Sequence, residues 1–111
     1  MPHCIVEYSA NLNGQALVNL VHQGALASEL FQAQGSDIKV RAIPYSEFKT
    51  GSVDISFIHV TMRILSGRND EQKTMLTQRV LMQLQTLIKV DCSLSVEVVD
   101  IDRETYSKVV V

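Results

Sequence analysis

Pro2 is the residue with the most specific chemical potential in this chain, because it directly follows Met1 at the start of an apolar segment. Methionine is usually removed when proline comes next, and its removal would turn the Pro2 nitrogen into a free secondary amine. Burial and nearby cations disfavour the ammonium form of an amine, so Pro2 could act as a general base near neutral pH. Retention of Met1 would instead leave this nitrogen as an amide with no basicity. Many chains begin with Met-Pro without such chemistry, so the interpretation needs support from other residues.

Three cationic residues could accompany such a base. Lys39 and Arg41 alternate with Ile38 and Val40, so both should project from one face of a strand. Arg68 lies in a Ser-Gly-Arg turn just before a predicted helix, where a guanidinium and a helix N-terminus together favour a carboxylate. Each also has a simpler interpretation, as part of a solvated strand face or as a surface turn residue.

The composition excludes several other kinds of chemistry. Cys4 and Cys92 lie in apolar strand patterns, which predicts buried and reduced thiols. His3, His22 and His59 have no ligand spacing with other metal-binding residues, so we expect no metal. No glycine-rich phosphate loop or nucleophile elbow occurs.

The bulk properties describe a small globular protein. The chain has 111 residues, of which 46% are hydrophobic and 20% charged, so we expect a single domain over residues 1–111. A net charge of −2 and the lack of basic clusters argue against nucleic acid as a partner. No apolar stretch has the length of a membrane span and no signal peptide is evident, so we expect no membrane partner and a cytoplasmic location.

Periodicity predicts six elements in the order β-α-β-β-α-β. They are strand 3–8, helix 11–34, strand 38–43, strand 54–64, helix 69–90 and strand 93–99. We expect Gly35 to end the first helix and Pro44 to end the second strand. Asn69 is the expected N-cap of the second helix, with Gln72 completing a capping box. Two βαβ units predict an α+β fold, a four-stranded sheet with both helices on one face. The segment 55–62 is apolar on both sides, so the other sheet face needs a cover, which we expect to be another copy of this chain.

Several segments together resemble the 5-carboxymethyl-2-hydroxymuconate Δ-isomerase family of the tautomerase superfamily, which includes 4-oxalocrotonate tautomerase and macrophage migration inhibitory factor. They are Pro2–Ser9, Ile38–Ala42, Phe57–Val60 and Ser66–Arg68, and the resemblance extends in order and spacing to about Tyr106. It implies a tautomerase-like subunit and a homotrimer whose sheets face inward. It also implies a pocket at each subunit boundary, with the freed amine of Pro2 at its base.

The resemblance further implies a reaction without a cofactor on a small-molecule carboxylate, in the catabolism of aromatic compounds. Pro2 would take the enol proton of a dienol carboxylate and return it to carbon, and Arg68 would hold or polarise the oxygen-bearing end. Arg41 matches the second arginine of its strand and would bind substrate. Lys39 stands where the characterised isomerase has arginine. A lysine ammonium is a compact point charge, whereas the planar guanidinium of arginine can bind a carboxylate through two N–H groups. Two alternatives remain open, a tautomerase acting on another enol such as an arylpyruvate and a non-enzymatic trimeric binding protein of the same fold.

Overall fold

The computed structural model describes all residues from Met1 to Val111. Its six elements follow the predicted order, and their bounds are β1 His3–Ser9, α1 Gly14–Ala27, β2 Lys39–Tyr45, β3 Ser56–Leu65, α2 Asp70–Gln85 and β4 Cys92–Ile101. The strands form one sheet in the order β2-β1-β3-β4. Each βαβ unit contributes a parallel pair, and β1 runs antiparallel to β3 at the centre. The predicted fold class is confirmed.

The core lies between the helices and one face of the sheet. Alternate residues of the two central strands point into it, among them Cys4, Val6, Val60 and Met62, and all four are fully buried. The opposite face carries the odd-numbered residues of the same strands. No layer of the chain covers it; Phe48 packs against Phe57 and Tyr106 against His3, and the rest stays partly exposed. The apolar pattern on both sides of segment 55–62 is therefore not matched by burial on both sides of the isolated chain.

Both helices are shorter than the sequence predicted. The first ends at Ala27 rather than near residue 34, because the Ser28 hydroxyl donates to the carbonyl of Ala25 at 2.6 Å and Glu29 adopts a left-handed φ of 60°. The second ends at Gln85 rather than near residue 90. Gly35 has a φ of 70°, but it lies in a later turn and does not cap α1.

Two local predictions concern residues at the ends of elements. The capping box of Asn69 and Gln72 at the start of α2 is confirmed, since each side chain accepts a hydrogen bond from the other residue's backbone. Pro44 does not end β2, however, and pairs with Tyr8 one residue before the strand ends at Tyr45. Proline is tolerated there because β2 is an edge strand and needs ladder hydrogen bonds on one side only. No helix has the length and hydropathy of a membrane span.

Candidate active site

Pro2 lies immediately before β1, at the end of the sheet where β2 also begins. Its side chain is fully buried, and its carbonyl accepts a hydrogen bond from the backbone N–H of Lys39 at 3.0 Å. Met1 covers it, because the Met1 thioether accepts from the N–H of Leu65 at 3.3 Å and the side chain packs against the core. The parallel pairing of β1 with β2 therefore brings the predicted base and the predicted cationic strand together.

Lys39 and Arg41 lie on the uncovered face of the sheet, as their alternation predicts. Lys39 of β2 pairs with His3 of β1, and Arg41 pairs with Ile5, two residues further along both strands. Both side chains are exposed. The Arg41 guanidinium donates from Nη1 to His3 Nδ1 at 3.3 Å, and Arg63 pairs with His3 from the other side. Cationic side chains thus surround the start of β1 on this face.

The electrostatics of this end favour neutral bases. The pKa of the N-terminal amine is lowered, first by burial and then by Lys39 and Lys108, while Asp37 opposes the shift. The pKa of His3 is also lowered, first by burial and then by Arg41 and the N-terminal amine. An amine in this position therefore loses its proton more easily than a free one does.

Arg68 occupies a different position, on the side of the sheet that carries the helices. Its guanidinium donates from Nη2 to the carbonyl of Leu30 at 2.7 Å and lies 5.6 Å from the ring centroid of Phe31. Phe31 also lines a surface cavity of about 470 Å³ together with Leu26, Glu29 and Ala33. Within one subunit, the pairing of β1 with β2 brings Pro2, Lys39 and Arg41 to the same end of the sheet, whereas the Arg68 guanidinium, from the turn after β3, contacts the segment that follows α1.

Sequence reasoning missed the C-terminal segment 102–108. This segment leaves β4 and crosses towards the start of β1, where the Tyr106 hydroxyl lies 3.0 Å from His3 Nε2. On the way, Arg103 Nε donates to the carbonyl of Ser66 at 3.0 Å. The alternation of β1 could have placed His3 on the same face as Lys39 and Arg41. No sequence signal marks Tyr106, because its segment is irregular and its contact spans the whole chain.

The two cysteines offer no nucleophile to this site. Cys4 is fully buried, and burial raises the pKa of its thiol to about 12. Cys92 was predicted to be buried, but it is the first residue of β4 and only half-buried, and burial raises its pKa as well. Both thiols are free. No cluster of histidine, cysteine and carboxylate side chains is positioned to hold a metal ion.

The chain order, the sheet order and the placement of both helices on one face define the tautomerase fold, which includes proteins related to macrophage migration inhibitory factor. The family model for 5-carboxymethyl-2-hydroxymuconate isomerase matches residues 2–109. The chain therefore belongs to the 5-carboxymethyl-2-hydroxymuconate isomerase family. Membership supports an isomerase or tautomerase activity.

Solved structures agree with this assignment at the level of the fold. A 5-carboxymethyl-2-hydroxymuconate delta-isomerase superposes with a TM-score of 0.78 at 18% identity, covering 99% of this chain and 88% of that one. A 5-carboxymethyl-2-hydroxymuconate isomerase from Deinococcus radiodurans R1 gives 0.76 at 24% identity, with coverages of 96% and 87%. A fused 4-OT wild-type symmetric trimer gives 0.70 at 21% identity, with coverages of 94% and 91%. Comparison with curated protein sequences finds no significant match.

Proposed function

We propose that this protein is a cofactor-independent isomerase that moves a proton within an enol carboxylate, with 5-carboxymethyl-2-hydroxymuconate as the substrate. Residues 1–111 would act as a single tautomerase-like domain. The observation that carries the proposal is the position of the N-terminal amine, which is partly desolvated and adjacent to Lys39, so that its pKa is lowered. Removal of Met1 would transfer this amine to Pro2, whose ring is fully buried at the same end of the sheet.

The proposed reaction is an internal proton transfer that needs no oxidant and no added water. The Pro2 nitrogen takes the proton from the enol hydroxyl, the oxygen becomes a carbonyl, and the electron pair moves through the conjugated system to carbon. The protonated proline then returns the proton to that carbon, so the atoms of substrate and product are the same. A positioned base of this kind contributes typically about 10²–10⁴-fold in rate.

The cationic side chains would supply binding and charge stabilisation. Lys39 would lower the pKa of the amine and stabilise charge on oxygen as the proton leaves, and Arg41 would bind a carboxylate of the substrate. Arg68 would hold or polarise the oxygen-bearing end. Because Arg68 already donates to the carbonyl of Leu30, only its remaining N–H groups would be available to substrate.

The proposed active unit is a homotrimer. The uncovered sheet face carries apolar and polar side chains of β1, β2 and β3, including the partly exposed Ile43. Two further copies would cover this face, and the symmetric trimer of the fused 4-OT protein supports that arrangement. A site at the boundary between subunits would also explain why no surface cavity of the single chain is lined by Pro2.

The test is ultraviolet-monitored ketonisation of 5-carboxymethyl-2-hydroxymuconate, with mass spectrometry first confirming that the protein begins at Pro2. We expect kcat to fall in Pro2→Ala by up to the contribution of a positioned base, about 10²–10⁴-fold, because the primary amine that replaces proline has a different basicity and position. Arg68→Ala should also lose most of its activity. Lys89→Ala, at an exposed lysine beyond α2, is the matched control and should retain wild-type rates.

The result distinguishes the proposal from its rivals. Protein that retains Met1 should be inactive, since its Pro2 nitrogen is an amide. If an arylpyruvate enol is turned over faster than the tricarboxylate 5-carboxymethyl-2-hydroxymuconate, Pro2 remains the proposed base but the proposed substrate is wrong. Absence of turnover with every enol, in protein that begins at Pro2, would reject the enzyme and favour a binding role for the fold.

A further inference from the structure

His3 links two parts of the molecule that are distant in sequence. Its Nδ1 lies 3.3 Å from Arg41 Nη1, and its Nε2 lies 3.0 Å from the Tyr106 hydroxyl. The rings of His3 and Tyr106 meet edge to face, with centroids 6.2 Å apart and an interplanar angle of 66°. Both ring nitrogens therefore have a partner, and one partner is the arginine proposed to bind substrate.

These contacts fix the protonation of the imidazole. A guanidinium can only donate, so Nδ1 must accept from Arg41 and carry no proton. The single ring proton then belongs to Nε2, which donates to the Tyr106 oxygen. A doubly protonated ring would present N–H groups to both partners and would lose the contact with Arg41.

The charges that face His3 favour this neutral ring. Lys39 and Arg41 approach from β2, Arg63 pairs with it from β3, and Lys108 approaches from the C-terminal segment. No carboxylate is paired with the ring. Burial lowers the pKa of His3, and Arg41, the N-terminal amine, Lys39 and Lys108 lower it further, so the acceptor at Nδ1 persists at neutral pH.

We propose that His3 is a positioning residue that holds the Arg41 guanidinium in place for a substrate carboxylate, and that the Tyr106 hydroxyl holds the His3 ring in the orientation that turns Nδ1 towards Arg41. This inference rests on the proposed function, in which Arg41 binds substrate. Arginine has many rotamers, and an exposed guanidinium without a fixed partner must be ordered when ligand binds, which costs affinity. Because His3 accepts a hydrogen bond from Nη1, the Arg41 guanidinium is already partly ordered before substrate binds, and the affinity cost is smaller.

The first test reads the tautomer directly in wild-type protein. Long-range ¹H–¹⁵N NMR correlations of the His3 ring at pH 7.5 should show a protonated Nε2 and an unprotonated Nδ1. In Arg41→Ala, which removes the donor at Nδ1, the Nδ1–H tautomer should become detectable, because the Tyr106 hydroxyl can donate to Nε2 as well as accept from it. A wild-type ring protonated at Nδ1 would overturn the proposal, whatever the activity of the protein.

The second test separates positioning from a structural role with two substitutions of one residue. His3→Phe keeps a planar ring and removes both contacts, and we expect KM to rise about tenfold while kcat changes less than twofold. His3→Asn places its amide oxygen where Nδ1 lies, so it should restore the contact with Arg41 and return KM to within about twofold to threefold of wild type. Equal impairment of both variants, or a fall in kcat without a change in KM, would overturn the proposal.

A binding measurement makes failure of this proposal distinguishable from failure of the proposed function. Calorimetric titration with cis,cis-muconate, a conjugated dicarboxylate that lacks the enol, needs no turnover. We expect Arg41→Ala and His3→Phe to weaken its binding by similar factors of about tenfold, with His3→Asn close to wild type. If the four proteins show these relative affinities for muconate but the wild-type protein does not turn over the enol, the proposed reaction is wrong and the positioning role of His3 is supported. If His3→Phe binds muconate as wild type does, the positioning role falls.

Discussion

Gly24 of α1 lies in close contact with the backbone of α2, and replacing it with alanine should force the helices apart. A Cβ at this position would lie 2.6 Å from the Cα of Val80 and 3.0 Å from both the Val80 nitrogen and the Arg79 carbonyl oxygen. All three atoms belong to backbone, so no side-chain rotation can relieve the clash. The two helices cover the same sheet face and cannot separate without loosening the core beneath them.

The size of the effect follows from two opposing contributions. Gly→Ala in the interior of a helix stabilises it by about 0.8–1 kcal/mol, because alanine has the better helix propensity. Overpacking of a well-packed core costs about 1–3 kcal/mol, and contact with backbone places this site at the upper end. We therefore expect Gly24→Ala to lower the free energy of unfolding by about 1–2 kcal/mol.

Urea denaturation followed by circular dichroism measures this change, at one fixed protein concentration because self-association would couple stability to concentration. The exposed neighbour Gln23 provides the control, since the difference between Gln23→Ala and Gln23→Gly gives the propensity term in the same helix. Subtracting that term isolates the steric cost. If Gly24→Ala stabilised the protein by the amount measured at Gln23, the close helix contact would be refuted.

Three further outcomes are expected. Asn69→Ala should lower the free energy of unfolding by about 1 kcal/mol in the same urea assay, because it removes the capping box shared with Gln72, and an unchanged midpoint would contradict the cap. In native protein at pH 8, Ellman's reagent should modify Cys92 and leave Cys4 unmodified until denaturant is added, because a pKa of about 12 leaves only about one Cys4 thiol in ten thousand ionised. Lys39→Arg should raise kcat/KM for the tricarboxylate relative to a monocarboxylate enol, since a planar fork binds carboxylate in two places, and an unchanged ratio in steady-state assays would place Lys39 outside the substrate contacts.

The sequence predicted the strands better than the helices, and the reason is physical. Both β1 and β3 are short apolar runs bounded by polar residues, and the limits of such a run coincide with the limits of the strand, so these strands were placed within two residues of their observed bounds. Helical periodicity reports burial and not backbone conformation. Leu30 and Phe31 pack against the core at helical spacing, but they follow the turn at Ser28 and lie outside α1.

The sequence predicted the features of the candidate site that depend on neighbouring residues, but not the contacts between segments that are distant in the chain. Alternation places Lys39 and Arg41 on one face, but their proximity to Pro2 depends on the parallel pairing of β1 with β2 across a helical crossover. The contact between His3 and Tyr106 spans 103 positions of the chain and depends on an irregular segment. Neither the residue types nor their spacing predict the course of this segment, so the proposed positioning of Arg41 by His3 could be inferred only from the folded structure.

The distribution of cations resolves an apparent conflict between the net charge and the proposed substrate. The chain carries a net charge of −2, which would disfavour a polyanion if the charges were spread evenly. They are not spread evenly, because six of its ten lysine and arginine residues lie near the start of β1 and the turn after β3. These are Lys39, Arg41, Arg63, Arg68, Arg103 and Lys108. The Debye length at physiological ionic strength is about 8 Å, so the charges nearest a ligand, such as Lys39, Arg41 and Arg63 around His3, act on it more strongly than distant ones. Burial is the main cause of the lowered pKa of the N-terminal amine, and Lys39 and Lys108 of this cluster lower it further, so these two charges would serve both substrate binding and the basicity of the proposed catalyst.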